Sequence, residues 1–136
     1  MEKEMEKEKK KIFQLNVEKG KEYYDNGKLK FEGEYLNGKR WNGKYYNIKG
    51  NVCCKIINGT GKVKEYNEKG NIIFEGEYSN GEINGKCKEY FNNGKLIFEG
   101  EYLNGIKWNG KCKEYDNFND KLIFEGEYLN GEKKNA

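Results

Sequence analysis

Gly85-Lys-Cys-Lys-Glu-Tyr-Phe-Asn-Asn-Gly94-Lys-Leu-Ile-Phe-Glu-Gly-Glu-Tyr-Leu-Asn-Gly105 is the stretch that decides the fold. Its string Phe-Glu-Gly-Glu-Tyr recurs at Phe31–Tyr35, Phe74–Tyr78, Phe98–Tyr102 and Phe124–Tyr128, and each copy runs into Asn-Gly within three residues. The closing glycines are Gly38, Gly59, Gly81, Gly105 and Gly131, spaced by 21, 22, 24 and 26 residues, so there are five units. In the second, Val52-Cys53-Cys54-Lys55-Ile56-Ile57 stands where the others carry Phe-Glu-Gly-Glu-Tyr-Leu. A self-similar chain with this period is a stack of one small unit, each copy burying the face its neighbour leaves open.

Turn chemistry makes the quoted unit a β-hairpin. Asn93-Gly94 lies between two runs rich in aromatic and branched residues, and Asn-Gly supplies the two positive φ values of a type I′ turn. With those two residues as the loop, Lys88 faces Glu99, Lys86 faces Glu101, Cys87 faces Gly100, Glu89 faces Phe98 and Phe91 faces Leu96. Centring on Lys69-Gly70 sets Lys64 against Glu75, Lys62 against Glu77 and Val63 against Gly76. Centring on Asn26-Gly27 sets Lys21 against Glu32 and Lys19 against Glu34. In the last copy, with a longer loop from Asn117 to Lys121, Lys113 meets Glu125 and Lys111 meets Glu127. A lysine opposite each glutamate in four copies fixes the register; each such cross-strand pair is worth roughly 0.2–1 kcal/mol.

Period-2 alternation then puts Phe98, Gly100 and Tyr102 on one face and the Lys–Glu pairs on the other. Glycine between two aromatics leaves bare backbone over which a neighbouring ring can lie. An isolated hairpin is marginal in water, so stacking is required. The chain is expected to be all-β: an elongated, single-layer antiparallel sheet of stacked hairpins over residues 12–131. Residues 1–11, almost all Glu and Lys, read as a charged tail that is solvated or one short helix, with Phe13, Leu15 and Val17 alternating as a strand; residues 132–136 read as a polar tail.

Hydrophobic residues make up 35% and charged residues 36% of the chain, with 15% aromatic. Mean hydropathy of −1.16 would ordinarily argue for disorder. A one-stripe repeat needs little more than its aromatics, so here low hydropathy fits a folded sheet. The net charge of +3 comes from 26 basic and 23 acidic residues, most lysines having a glutamate opposite. That leaves no basic stripe for phosphate backbones and argues against nucleic acid. The sequence has no apolar run of spanning length and no signal-like N-terminal stretch, which points to the cytoplasm, with membrane or cytoskeletal association left open.

Histidine is absent, and Ser79 and Thr60 are the lone hydroxyl residues of their types. Without a histidine base, no catalytic residue is assigned and no enzyme is expected. Cys87 and Cys112 occupy the same site in consecutive repeats, roughly 10 Å apart at two strands' spacing, too far for a disulfide. With Val63 as their equivalent elsewhere, they read as small buried apolar residues in a reducing compartment. Cys53 and Cys54, adjacent in a strand, are expected to point to opposite faces and share no ligand sphere. Neither a metal nor a cofactor site is expected. Trp41 and Trp108 each precede Asn-Gly-Lys in a connector. They either cap the aromatic stripe or stand exposed as anchors, since Trp, Tyr and Arg dominate interface hot spots.

The order Phe31-Glu-Gly-Glu-Tyr-Leu-Asn-Gly38-Lys-Arg-Trp-Asn-Gly43 resembles the MORN repeat family. The intervening Lys21–Leu29 segment is similar to the variant form also seen in a bacterial antitoxin-like family. The resemblance spans about residues 19–131, although Trp41 and Trp108 stand where small or polar residues are more usual. It implies a β-sheet scaffold that binds a protein partner, homodimerises in some members, and has been proposed to contact anionic phospholipid headgroups. Antitoxin-like inhibition of a partner is a further possibility it raises. Candidate partner contacts are Trp41, Trp108, Arg40, Tyr35, Tyr78, Tyr102 and Tyr128, and candidate headgroup contacts are Lys39, Arg40, Lys107, Lys133 and Lys134.

Overall fold

The computed structural model describes residues 17–135, so the expected tail at 1–11 and the strand residues Phe13 and Leu15 lie outside the described residues. Eleven strands follow one another: β1 (Val17–Tyr23), β2 (Leu29–Leu36), β3 (Lys39–Tyr46), β4 (Val52–Ile56), β5 (Gly61–Tyr66), β6 (Ile72–Ser79), β7 (Glu82–Tyr90), β8 (Leu96–Leu103), β9 (Ile106–Tyr115), β10 (Leu122–Leu129) and β11 (Glu132–Asn135). The last of these is a strand where the sequence suggests a polar tail; its residues pair with β10 from Gly126 to Leu129. Within each sheet hairpins join each strand to the next, all antiparallel, giving a four-stranded sheet β1-β2-β3-β4 and a seven-stranded sheet β5 to β11.

The register is the one the charges dictate. Lys88 pairs Glu99, Lys64 pairs Glu75, Lys21 pairs Glu32 and Lys113 pairs Glu125. Lys88–Glu99 and Lys113–Glu125 each close to 3.9 Å with side chains about half exposed. Each therefore contributes at most about 1 kcal/mol, and the charges select register more than they stabilise it.

The turns differ from expectation. The type I′ turns are the five Asn-Gly pairs that close the units, from Asn37-Gly38 to Asn130-Gly131, with φ of 48–54° at asparagine and 74–84° at glycine. At the other ends, Gly94 alone is left-handed (φ 87°), donating to the Phe91 carbonyl at 2.9 Å, while Phe91 N–H donates to Lys95. This is a three-residue loop, a type I turn closed by a left-handed glycine. The extra loop residue shifts the register by one, so Leu96 faces Tyr90 and not Phe91.

The aromatic face is consumed by the fold. Phe31 and Phe98 are wholly buried, within clusters of Phe31, Tyr45, Ile56 and Val63 and of Phe74, Cys87, Phe98 and Cys112. Each phenylalanine lies over bare backbone: a Cβ on Gly43 would stand 2.6 Å from the Phe31 ring, and one on Gly76 2.9 Å from that of Phe74. Edge-on contacts with Tyr35 (5.5 Å between centroids) and Tyr102 (5.6 Å) continue the stripe.

The eroded second unit forms a joint. In place of a ladder, β4 and β5 share one isolated bridge, Ile57–Thr60, although Ile56 and Val63 pack together across the gap. On the charged face Lys55 stands opposite Lys44, where a regular copy would present glutamate. Like charges directly opposite weaken pairing. Beyond Lys55 the register slips, with Cys54 opposite Tyr45 but Val52 opposite Tyr46, so Cys53 is the extra residue of a bulge. A bulge re-aims side chains, and here it overturns the expected opposition of the cysteines: their sulfurs lie 3.5 Å apart.

Candidate binding surface

Three cations cap the aromatic stripe, each over the phenylalanine of a repeat. Arg40 lies 5.3 Å from the Phe31 centroid and 5.2 Å from that of Tyr45. Its Nε and Nη2 donate to Glu22 at 2.7 Å each, and Nη1 donates to Glu65 at 2.5 Å. Lys107 sits 5.2 Å over Phe98 and 3.5 Å from Glu89, and Lys133 sits 4.2 Å over Phe124 and 2.6 Å from Glu114. All three cations stand two residues after the glycine of an Asn-Gly turn, and all four carboxylates belong to Lys-Glu-Tyr strings. Alternation places Glu89 on the aromatic face; the partner cations follow only once the bulges between repeats are known. The recurring position after Asn-Gly is the signal that would have found them.

This arrangement fixes the protonation of the neighbouring groups. Hydrogen bonds from Arg40, opposed in part by burial, hold the Glu22 carboxyl below its ordinary range. Burial, and then the bond its hydroxyl donates to Glu22 (2.6 Å), push Tyr35 up to about 12. Tyr102 likewise donates to Glu89 at 2.9 Å, and Tyr78 is pushed up to about 12 chiefly by burial. The four tyrosines Tyr35, Tyr78, Tyr102 and Tyr128 are half-buried members of the stripe.

Both tryptophans are the extra residues of bulges: Tyr35 pairs Arg40 while Glu34 pairs Asn42, and Tyr102 pairs Lys107 while Glu101 pairs Asn109. Each ring lies over the turn of a following unit. A Cβ on Gly59 would stand 2.6 Å from Trp41 and one on Gly81 3.5 Å from it, whereas Trp108 meets Gly131 alone, at 3.2 Å. The Trp41 carbonyl accepts from Gly59 N–H at 2.7 Å and that of Trp108 from Gly131 N–H at 2.9 Å. Half-buried, each tryptophan covers a junction between repeats.

The headgroup candidates are committed to carboxylates: Lys39 to Glu82 at 2.7 Å, Arg40 to Glu22 and Glu65, Lys107 to Glu89, Lys133 to Glu114, and Lys134 to Glu132 at 3.8 Å. What stays open is the opposite, charged face. A groove of about 580 Å³ crosses the joint and runs onward over β5 to β8, floored by the backbone of Gly76 and Gly100 and walled by Lys64, Lys88, Glu75 and Glu99, with Cys53 at one end. Leu103, Ile106 and Leu129 stay exposed beside the type I′ turns of the same sheet. No helix among the described residues is long and apolar enough to cross a membrane.

The family model described as "MORN repeat variant" matches residues 19–37, 60–80 and 83–104, which are the β1–β2, β5–β6 and β7–β8 hairpins. No curated protein and no solved structure matches the chain. MORN repeats are interaction modules, for proteins or membranes, and are not in themselves an enzymatic repeat type. With the recurrent Phe-Glu-Gly-Glu-Tyr strings and the all-β architecture in agreement, these three hairpins are MORN repeats of the variant form.

Proposed function

We propose that this protein is a non-enzymatic scaffold that binds a protein partner through the grooved, charged face of its sheet. The observation that carries the reading is the division of labour between the faces. The aromatic face is closed by its own rings and by Arg40, Lys107 and Lys133, while the opposite face holds a glycine-floored groove between rows of lysine and glutamate. Such rows suit a partner segment of mixed charge, with affinity and on-rate that fall as salt rises.

Affinity capture from the source cell's extract tests this, using wild type against a Lys64→Glu, Lys88→Glu double variant at low and high salt. The expected result is a protein captured by wild type at low salt and lost with the variant. Equal capture by both would move the site off the groove. Salt-sensitive pelleting with anionic vesicles, in the absence of any captured protein, would replace the reading with membrane binding. Self-association belongs to the same proposal: among the described residues β1 and β11 each pair on one side only, leaving backbone groups available to a second copy. Light scattering across a concentration series reads it directly.

A further inference from the structure

The joint between the sheets contains chemistry that the binding scaffold does not use. The bulge at Cys53 brings two thiols to 3.5 Å, and their sulfurs stand where the β4–β5 ladder would run. Cys54 Sγ accepts the Lys64 N–H at 3.3 Å, and Cys53 Sγ donates to the Tyr45 carbonyl at 3.4 Å. Both sulfurs also lie 3.8 Å from the Lys64 carbonyl. The thiols thus serve as the hydrogen-bonding groups of a missing strand edge. Cys53 and Cys54 are half-buried at the joint, whereas Cys87 and Cys112 are buried within the seven-stranded sheet.

We propose that Cys53 and Cys54 form a redox-modification site, a dithiol that a low-molecular-weight disulfide such as glutathione disulfide converts to an intramolecular disulfide, loosening the joint. The thiolate of Cys53 attacks one sulfur of the oxidant, breaking its S–S bond and releasing one glutathione thiolate. The thiolate of Cys54 then attacks the Cys53 sulfur, breaking the mixed disulfide and releasing the second. Two electrons pass from the protein to the oxidant, and the two thiol protons end on the two glutathiones. Consecutive Cα atoms are only about 3.8 Å apart, below the usual disulfide range, so the product is strained and easily reduced. A labile bond of this kind suits a reversible modification, not a structural staple. Closing it draws Cys54 Sγ away from the Lys64 N–H, and the joint loses that tie.

Burial, and the hydrogen bond with Cys54, push the Cys53 thiol up to about 12. Its reaction with the oxidant therefore accelerates roughly tenfold per pH unit between pH 7 and 9, following the thiolate fraction. The test equilibrates the reduced, full-length protein with glutathione buffers of rising oxidised fraction, quenches in acid, alkylates and digests with trypsin. The expected result is a peptide 50–55 lighter by two hydrogen atoms and unalkylated, with Cys87 and Cys112 alkylated. Stable glutathione adducts on Cys53 or Cys54, or free thiols at every ratio, overturn the proposal. Hydrogen exchange on the oxidised protein reads the consequence: the Lys64 amide should exchange roughly tenfold faster. Unchanged exchange there would overturn the link between the thiols and the joint. None of these readouts requires a binding partner, so they stand apart from the fate of the groove.

Discussion

Cysteine has opposite roles in the two sheet environments of this molecule. In the seven-stranded sheet Cys87 lies opposite Gly76 and Gly100 in unbroken ladders, 4% exposed, filling space beside Phe74 and Phe98. At the joint Cys54 bonds sideways to a backbone amide because β4 has lost its ladder to β5. The surrounding repeat explains the difference. Where Phe-Glu-Gly-Glu-Tyr is intact, glycine lets rings cover the backbone and glutamates stitch lysines on either side. Where it has eroded to Val52–Ile57, Lys55 faces Lys44 and the strand bulges. A repeat array therefore acquires a joint by losing register chemistry in one copy, not by inserting a linker.

The joint is held instead by long side chains, and removing them should produce the largest effects. Arg40 reaches from β3 to Glu22 on one side and Glu65 on the other, across the gap. Arg40→Ala leaves two half-buried carboxylates without their cation and strips the Phe31 and Tyr45 rings. Stability should fall by about 3 kcal/mol, at the low end for broken buried pairs because Glu22 keeps solvent contact. The equivalent Lys107→Ala, with one carboxylate and no joint to span, should cost about 1 kcal/mol. Urea unfolding of both variants compares them; equal losses would show that the joint is no weaker than the ladder. The arginine variant also changes the pH response. The Glu22 pKa is lowered in the folded state, so its stabilisation is present above the ordinary carboxylate range and is lost as pH falls through the lowered value. Thermal midpoints between pH 6 and pH 3 should fall less steeply for Arg40→Ala than for wild type.

Trp41 and Trp108 sharpen the comparison at smaller scale. Trp41 covers the turns of two following units, at Gly59 and Gly81, on either side of β5 and β6; Trp108 covers Gly131 alone. Trp41→Ala should cost about 2 kcal/mol and Trp108→Ala about 1 kcal/mol, both below the fully buried value because both rings are half-exposed. Denaturant midpoints decide it, and reversed order would remove the tryptophan from the joint's support.

How much of this the sequence discloses follows from its period. Lys–Glu pairing and the Phe-Gly-Tyr alternation made faces and register legible, because each is repeated and each mistake of one residue would invert every side chain. Turn type was not legible at Asn93-Gly94, since the same dipeptide serves a two-residue type I′ loop and the end of a three-residue one. The bulges at Trp41, Trp108 and Cys53 were hidden for a related reason: an extra residue leaves composition unchanged and shows only as a slip between two strands. Those slips bring Arg40 to Glu22 and Glu65, and Cys53 to Cys54. The aromatic face was legible; its closure by cations was not.

The smallest expected effect separates the two cysteine environments most cleanly. Cys87→Ser places a hydroxyl among Phe74, Phe98 and bare glycine backbone, where the neighbouring strands already use their amides and carbonyls in the ladder. An unsatisfied buried hydroxyl costs about 1–3 kcal/mol. Cys54→Ser puts the same hydroxyl beside the Lys64 N–H, which the sulfur now engages at 3.3 Å, longer than an oxygen acceptor prefers. Oxygen is the better acceptor but the shorter side chain, so the exchange should be nearly neutral, within about 0.5 kcal/mol. The pair of midpoints therefore reads whether sulfur at each site is packing or bonding. A Cys54→Ser loss as large as that of Cys87→Ser would mean that the thiol at the joint fills space like its counterparts in the ladder, and that the Lys64 contact contributes nothing.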